Sequence, residues 1–294
     1  MKRITFIKKS ILALGMGISL YPKAISKTFK MTKKQFKQPA LFLSHGTMYE
    51  AFRSDDLKRD FQKIRAEHLQ TLPDAIVLFS GHWQTKDISV TTAPQMRQMD
   101  EGFPPEFWAN YTTSGSPDLA HRIIAMLNEN GIKTSAEPHR ELDHGALIPL
   151  LLLFPNDKIP VVQVSQQYQL DPNFHKQMAA ILSPLRHENI LFIGSGGLVH
   201  NRNFIAKMSG HSLAPDDWAK QFDDYITTAF ADKSDTNYAD KSINAYHHAL
   251  FNQSHPTSEH YLPLVFASAL GATPTKIYEA FQWRNLSMSA FKFE

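Results

Sequence analysis

Histidines follow several apolar runs of this sequence and stand beside glycine or other small residues. His45 directly precedes Gly46, and His82 directly follows Gly81. His200 comes a few residues after a glycine-rich turn that ends another apolar run. Neutral imidazole is the commonest side-chain ligand of transition metals in proteins. Several imidazoles delivered to one edge of a sheet therefore predict a metal site.

A fourth histidine, His260, lies in the segment Glu259-His260-Tyr261-Leu262-Pro263-Leu264. This segment is interpreted as the start of a helix, where Pro263 is tolerated because first-turn amides have no acceptor within the helix. Successive helical residues point about 100° apart. We therefore expect only one of Glu259 and His260 to face the site.

His144 stands in a different context, the loop Glu141-Leu142-Asp143-His144-Gly145, before an apolar segment. One interpretation is an accessible imidazole that acts as an acid or base or binds a substrate. The other is a neighbour of a helix cap formed by Asp143. The remaining histidines are expected on helical faces or in polar loops and are left out of the site: His68, His121, His139, His175, His187, His211, His247, His248 and His255.

Two further residues accompany the site histidines. Asn201 follows His200 and is expected to orient its ring. Trp83 follows His82 and is interpreted as a core residue, with the wall of an aromatic pocket as the alternative.

Composition excludes several classes of chemistry. The 294 residues contain no cysteine, so disulfides, thiolate zinc sites and cysteine nucleophiles are ruled out. The formal net charge is only +3, and much of the excess lysine lies in the first forty residues. No basic patch with interleaved aromatic residues indicates a nucleic-acid partner. No Gly-x-Ser-x-Gly motif supports a serine hydrolase, and the glycine-rich turn lacks the phosphate-loop spacing.

Residues 1–37 are predicted to form a signal-like leader outside the fold. Met1-Lys2-Arg3 is basic, and the apolar run over residues 11–20 is too short to span a bilayer. This layout predicts an exported or periplasmic protein with no stable membrane span in the mature chain. A disordered basic tail and an uncleaved anchor are the alternatives, and a leader that is not processed would leave the protein in the cytoplasm.

The rest of the chain, residues 38–294, alternates apolar runs with segments of helical periodicity. The runs over residues 40–43, 75–80, 161–165 and 190–194 predict strands, the last of them the final buried strand of the core. Helices are predicted over residues 55–69, 117–130, 145–154 and 172–187, and a terminal hairpin over 273–293. This alternation predicts a single α/β domain with a mainly parallel central sheet and helices on both faces. His45, His82 and His200 then follow the carboxyl ends of strands, where open α/β sheets bind ligands.

Five motifs in order resemble those of the class III extradiol ring-cleavage dioxygenases, in their DOPA 4,5-dioxygenase branch. The terminal Leu286-Ser287-Met288-Ser289 is similar to that branch as well, and the resemblance covers roughly residues 38–294. The five motifs are Ser44-His45-Gly46, Ser80-Gly81-His82-Trp83, Leu142-Asp143-His144-Gly145, Gly194-Ser195-Gly196-Gly197-Leu198-Val199-His200-Asn201 and His260-Tyr261-Leu262-Pro263-Leu264.

The resemblance implies a mononuclear divalent metal, a catechol substrate similar to DOPA, and O₂. It implies that His45, His82 and His260 are metal ligands. His200 is then the base or a fourth ligand, and His144 contacts the substrate or transfers a proton. Many class III enzymes have glutamate at the third ligand position, so histidine there leaves the metal open. Fe(II) is expected for turnover, because zinc has no redox chemistry with which to activate O₂. Zn²⁺ is expected in the protein as found, because sites rich in nitrogen ligands also suit zinc.

The residues Gln166, Gln167 and Tyr168 follow the strand over 161–165 and are candidates for holding the amino-acid end of such a substrate. Two other functions remain open, since a fold does not fix its chemistry. One is a zinc-dependent hydrolase on the same scaffold, and the other is a non-catalytic metal-binding protein. The sequence makes no prediction of the oligomeric state.

Overall fold

The strands of this protein are built from apolar runs without polar interruption, as is typical of parallel strands covered on both faces. The computed structural model describes residues 36–205 and 214–294, so most of the predicted leader lies outside the described residues. Phe36 already contacts the fold, because its carbonyl accepts a hydrogen bond of 3.1 Å from the Asn189 amide. The strands of the described residues are β1 (Ala40–Ser44), β2 (Ala75–Thr85), β3 (Ile88–Thr91), β4 (Gln95–Arg97), β5 (Thr112–Ser114), β6 (Thr134–Glu137), β7 (Val161–Gln167), β8 (Ile190–Gly196), β9 (Pro274–Tyr278), β10 (Phe281–Gln282), β11 (Leu286–Ser287) and β12 (Ala290–Phe293).

Helices connect these strands. The helices of the described residues are α1 (Met48–Arg53), α2 (Asp55–His68), α3 (Pro117–Glu129), α4 (His144–Leu153), α5 (Pro172–Leu182), α6 (Arg202–Ile205), α7 (Asp217–Ala231), α8 (Tyr238–Asn244), α9 (Phe251–Ser254) and α10 (Leu262–Leu270). Short 3₁₀ turns cover Pro105–Phe107, Ser183–Glu188, Ala245–His247 and Ser258–His260. None of the helices in the described parts of the chain has the length and apolar character needed to cross a bilayer.

The main sheet has eight strands in the order β6-β3-β7-β2-β8-β1-β12-β9. The pairs β7–β2, β2–β8, β8–β1 and β3–β6 are parallel. The pairs β3–β7, β1–β12 and β12–β9 are antiparallel. The prediction of a single α/β domain with a mainly parallel sheet is confirmed.

Each face of the sheet carries its own apolar core. In β1, Ala40 and Phe42 belong to the cluster that includes α5 and α10. Leu41 and Leu43 belong to the cluster that includes α2 and α4 on the opposite face. This alternation follows from the two-residue period of a strand. Helices therefore cover both faces, as predicted, and leave the edge at the strands' carboxyl ends for the site.

The structure corrects four details of the predicted elements. Strands β2, β7 and β8 run further than predicted, so His82 lies inside β2 rather than just past its end. The strand over residues 190–194 is not the last buried one, because β12 pairs with β1 in the same sheet. The helix predicted over 172–187 ends at Leu182 and continues as a 3₁₀ turn, because Pro184 has no N–H group to donate to the helical hydrogen-bond ladder. The terminal hairpin is formed by β9 and β12, with the small β10–β11 hairpin inserted between them.

Candidate metal centre and cavity

Three predicted site histidines meet at the carboxyl edge of the sheet. His45 follows β1 directly, His82 lies in β2, and His260 ends the 3₁₀ turn before α10. The Nε2 atoms of His45 and His82 are 3.2 Å apart, and those of His82 and His260 are 3.1 Å apart. The three imidazoles therefore direct the same ring nitrogen towards a common point.

An irregular stretch of β2 brings His82 to this point. Phe79 pairs with Val164 of β7, whereas Gln84 pairs with Gln166, so residues 80–83 lie opposite the single residue Ser165. Extra residues of this kind bend a strand out of its regular ladder. His82 is thus displaced towards the edge of the sheet although the strand continues beyond it.

Hydrogen bonds at the opposite ring nitrogens fix the tautomers of two of these histidines. The Ser195 hydroxyl donates its only proton to the Gly145 carbonyl, so it accepts from Nδ1 of His45 at 3.0 Å. The Glu259 carboxylate can only accept, and it lies 3.1 Å from Nδ1 of His260. A neutral imidazole carries one N–H group. Both Nε2 atoms therefore present lone pairs to the common point.

Burial keeps these rings neutral. Desolvation, followed by the neighbouring imidazoles, lowers the pKa values of His45 and His260 well below 6.5. Burial likewise lowers the pKa of His82 to about 3. At neutral pH the three rings are uncharged, which is the form of imidazole that binds metals.

The donor set fits a divalent metal ion. Lone pairs separated by 3.1–3.2 Å repel one another when no proton lies between them. Tetrahedral ligands at about 2.0–2.1 Å from a zinc ion are about 3.3 Å from one another, close to the separations found here. A cation at the common point would thus convert the repulsion into attraction.

Glycines allow the segments of the site to approach closely. A Cβ atom at Gly145 would lie 2.7 Å from Ser80 Oγ and 2.8 Å from Cδ2 of His82. A Cβ at Gly196 would lie 2.1 Å from the His260 carbonyl oxygen. The glycine-rich segment over residues 194–197 was interpreted as a turn. It instead includes the end of β8, and its missing side chains make room for the segment that carries His260.

His144 occupies the first position of α4, and the structure combines its two interpretations. Asp143 caps the helix by accepting a hydrogen bond of 3.0 Å from the Ala146 amide. The His144 ring also lines the site, with its centroid 3.9 Å from that of His82. His45, His82 and His144 each offer a nitrogen within 4.8 Å of the others.

Sequence reasoning missed Glu101, which binds His144 at two points. One carboxylate oxygen lies 2.8 Å from the ring Nδ1, and the other accepts from the His144 amide at 2.6 Å. The carboxylate can only accept, so Nδ1 carries the proton and Nε2 is the basic nitrogen of the neutral ring. Glu101 and His144 are 43 residues apart, and no local pattern in the sequence links them.

His200 stacks against His260, with ring centroids 3.6 Å apart and planes 5° from parallel. Burial lowers its pKa to about 4, so the ring is neutral at pH 7. The prediction that Asn201 orients His200 is wrong. The Asn201 side chain donates to the Gln253 carbonyl at 2.6 Å and accepts from the Asn203 amide at 3.0 Å. It therefore stabilises the loop after His200 and not the ring.

The expectation that only one of Glu259 and His260 faces the site is also wrong. Both Glu259 and His260 lie in the 3₁₀ turn before α10 and line the cavity, and the Glu259 carboxylate reaches back to Nδ1 of His260 at 3.1 Å. The Gln166 side chain donates to the Glu259 carbonyl at 2.6 Å and supports this turn from behind.

Gln166, Gln167 and Tyr168 were the candidates for holding the amino-acid end of the substrate. Of these three, only Tyr168 lines the cavity. Gln166 is buried, and Gln167 binds the ring of His175 through its backbone. His175 lies on a face of α5, as expected, and His255 directly follows α9, and both side chains are buried. Each is retained inside because its ring bonds to backbone groups, as in the 2.9 Å contact between His255 Nε2 and the Leu198 carbonyl.

A cavity of about 830 Å³ opens above the histidines. It contains His45, His82, His144, His200 and His260, together with charged groups from Arg202 and Glu259 and aromatic rings from Tyr49, Phe103, Phe107, Tyr168 and Trp283. Trp83 is buried outside this wall beneath the Arg140 guanidinium, which supports its interpretation as a core residue. The volume and the mixed lining are typical of a site for a small organic molecule.

Comparisons with known proteins place this site in context. Residues 38–291 match the family described as the catalytic LigB subunit of aromatic ring-opening dioxygenase. A protein of Beta vulgaris named 4,5-DOPA dioxygenase extradiol is 34% identical, over 86% of this chain and 95% of the relative. A protein of the same name from Escherichia coli K12 is 33% identical, over 80% of this chain and 85% of the relative. The crystal structure of an uncharacterized protein from Escherichia coli K12 is similar with a TM-score of 0.70 and 28% identity, covering 87% of this chain and all of that one.

Proposed function

This chain belongs to the LigB family and is an extradiol aromatic ring-cleavage dioxygenase, and from this premise we propose that it uses one divalent metal to open the ring of a catechol with O₂. The observation that carries the proposal is the convergence of three neutral imidazole Nε2 atoms, in which that of His82 lies 3.2 Å from that of His45 and 3.1 Å from that of His260. Two of them have their tautomers fixed by Ser195 and Glu259, which is the usual arrangement behind metal-binding histidines.

His45, His82 and His260 are the proposed ligands. Three neutral nitrogens without a charged donor suit both Fe(II) and Zn²⁺. Fe(II) supplies the redox capacity that the reaction of O₂ with a catechol requires, and Zn²⁺ does not. We therefore expect Fe(II) in the active enzyme and Zn²⁺ in protein isolated without added iron.

His200 is the proposed base. Its neutral ring can take the proton of one catechol hydroxyl. The centroid of the His200 ring lies 3.6 Å from that of His260, a proposed ligand, and the two rings are stacked. This parallel offset favours the role of base over that of a fourth ligand for His200. His144, held by Glu101 with its proton on Nδ1, presents Nε2 as a hydrogen-bond acceptor for the second substrate hydroxyl.

The cavity supports a substrate similar to DOPA. Aromatic side chains make up much of its wall, and Arg202 brings a positive charge that can pair with a carboxylate. Two similar proteins carry the name 4,5-DOPA dioxygenase extradiol, and an amino-acid side chain on the catechol fits this combination of groups. Tyr168 directly follows β7, lines the cavity and is 69% exposed. It is therefore the residue proposed to contact the amino-acid side chain of the substrate.

Oxygen uptake tests the proposal. Metal-free protein is loaded with Fe(II) under argon, mixed with L-DOPA or an unsubstituted catechol, and exposed to O₂. We expect one O₂ consumed per substrate and a yellow semialdehyde product. The His45→Ala variant should bind no metal and show neither signal, whereas His139→Ala, which removes an exposed histidine, should behave as the wild type.

The same experiment separates the alternatives. Absence of oxygen uptake and yellow product across a panel of catechols, with iron bound, would refute the dioxygenase proposal for these substrates. Turnover of an ester or amide with Zn²⁺ and no oxygen uptake would select a zinc hydrolase. Tight metal binding with neither activity would select a non-catalytic metal-binding protein.

We also propose that residues 1–37 direct the protein out of the cytoplasm. The support is the basic start and short apolar run of the sequence. Expression of the full chain in a bacterium, followed by fractionation and N-terminal sequencing, should give a shortened protein in the periplasm. A full-length protein in the cytoplasmic fraction would contradict export.

A further inference from the structure

The turn between β10 and β11 holds two bulky residues in backbone conformations that their side chains disfavour. Trp283 has φ of 49° and Arg284 has φ of 67°. The flanking register, Phe281 opposite Ser287 and Gln282 opposite Leu286, makes this the tip of a tight hairpin. Two consecutive positive φ angles are normally supplied by Asn-Gly or similar pairs, because residues with larger side chains are strained there. The backbone preferences of tryptophan and arginine therefore do not explain why these two residues occupy the turn.

The surrounding structure enforces the strained conformation from the side of the metal centre. The Gln282 side chain accepts a hydrogen bond of 3.2 Å from the Thr47 amide, two residues after His45. A Cβ atom at Gly46 would lie 2.6 Å from Oε1 of Gln282. The hairpin is therefore pressed against the loop that carries a proposed metal ligand.

Two more anchors hold the other side of the hairpin. The Arg284 carbonyl accepts from the Asp216 amide at 2.9 Å, and the Arg284 guanidinium pairs with the Asp216 carboxylate. At the base, Ser287 donates to the buried Asp223, which Lys276 neutralises at 2.7 Å. Strained backbone persists where its surroundings over-determine it, and such positions cluster at functional sites.

Core packing does not account for the indole. Trp283 is only partly buried and belongs to neither of the two apolar clusters that cover the sheet in the described residues. Its side chain lines the same cavity as His45, His82 and His260. The strained turn thus delivers a large aromatic surface to the site and to no part of the core.

We propose that Trp283 is a specificity-determining residue, whose indole provides a stacking face for the aromatic ring of the substrate. This inference rests on the proposed function, because it assumes an aromatic substrate in the cavity. Offset-stacked or edge-to-face aromatic pairs are favourable beyond the area that they bury. The hairpin keeps the unfavourable backbone at position 283 because glycine or asparagine there would remove this face.

Replacement by asparagine gives a test that a merely structural role does not pass. Asparagine adopts positive φ more readily than tryptophan. We expect Trp283→Asn to raise the melting temperature by about 2–4 °C while KM for the catechol rises about five- to tenfold. The kcat value should stay within about twofold, since the histidines are untouched. Trp283→Phe keeps an aromatic ring and the strain, and it should give an intermediate KM with the wild-type melting temperature.

A binding measurement makes the test independent of turnover. Tryptophan fluorescence is titrated with unsubstituted catechol under argon in the Fe(II)-loaded enzyme and in the metal-free protein. We expect quenching in the wild type that Trp283→Phe largely removes. The matched control is Trp108→Phe, since Trp108 is 43% exposed and lies outside the cavity wall, and this variant should keep the quenching.

The outcomes separate the two proposals. An unchanged KM in Trp283→Asn would overturn the role of Trp283. A lower melting temperature, together with a fall in kcat as large as the rise in KM, would overturn it too. Loss of quenching in Trp108→Phe rather than in Trp283→Phe would overturn it as well. A wild type that consumes no O₂ with any catechol would refute the proposed function alone, because the quenching titration would still decide whether Trp283 contacts an aromatic ligand.

Discussion

His175 makes the stability of this protein sensitive to acid, and replacing it with glutamine should remove a defined part of that sensitivity. The ring is fully buried between α5 and the end of β7. Its Nε2 accepts a hydrogen bond of 3.0 Å from the Gln167 amide, and its Nδ1 lies 2.6 Å from the Asp171 carbonyl. The proton is therefore on Nδ1. A second proton on Nε2 would face the Gln167 N–H group and break that bond.

The size of the effect follows from the pKa. Burial lowers the pKa of His175 from 6.5 to about 4. Between these two values the unfolded chain binds the proton and the folded protein does not, so the free energy of unfolding falls as the pH falls. The difference corresponds to about 3 kcal/mol in total, of which about 2 kcal/mol is lost between pH 7 and pH 5.

Urea unfolding at pH 7 and pH 5 measures this term. The wild type and His175→Gln are compared in a chelating buffer, so that metal binding at the site does not contribute. Glutamine keeps an acceptor for the Gln167 amide but does not titrate. We expect the wild type to lose about 2 kcal/mol more than the variant between the two pH values. The exposed His139→Gln variant should match the wild type, and the reasoning would be refuted if His175→Gln did so too.

Three further predictions concern the site. His200→Ala should keep about one metal per chain, measured by elemental analysis, while kcat falls about 10²- to 10⁴-fold because the base is lost. Glu101→Gln should lower kcat about 10- to 100-fold with metal content unchanged, because an amide can donate to Nδ1 of His144 and so select the other tautomer. Gly145→Ala should cost about 1–3 kcal/mol of unfolding free energy in urea and reduce metal content. Its Cβ would lie 2.8 Å from Cδ2 of His82 and push that ring out of place.

A specific result would contradict each of these three predictions. Loss of metal in His200→Ala would make His200 a ligand rather than a base. A Glu101→Gln enzyme with the kcat of the wild type would show that His144 needs no fixed tautomer. Normal stability together with full metal content in Gly145→Ala would show that the contact of α4 with β2 is less tight than the structure indicates.

Much of the fold followed from the sequence because its signals are local. The apolar runs that became β1, β2, β7 and β8 predict buried strands wherever they occur, and the helical periodicity of α2 and α3 depends only on neighbouring residues. The ends of β2 and β7 were not predictable. Those strands continue past their apolar cores because polar residues there still find backbone partners across the sheet, at Gln84–Gln166 and Thr85–Gln167.

The sequence by itself determined that His45, His82 and His200 lie at the carboxyl edge of the sheet, because residues that end parallel strands share one edge whatever the strand order. Only the tertiary structure decided how each ring is used. Ser195 and Glu259 fix the tautomers of His45 and His260, Glu101 holds His144 from 43 residues away, and a strained turn brings Trp283 into the cavity. These interactions join residues that are distant in the chain, or adjacent ones whose geometry depends on the whole site, and such contacts leave no periodic or compositional pattern to be read in advance.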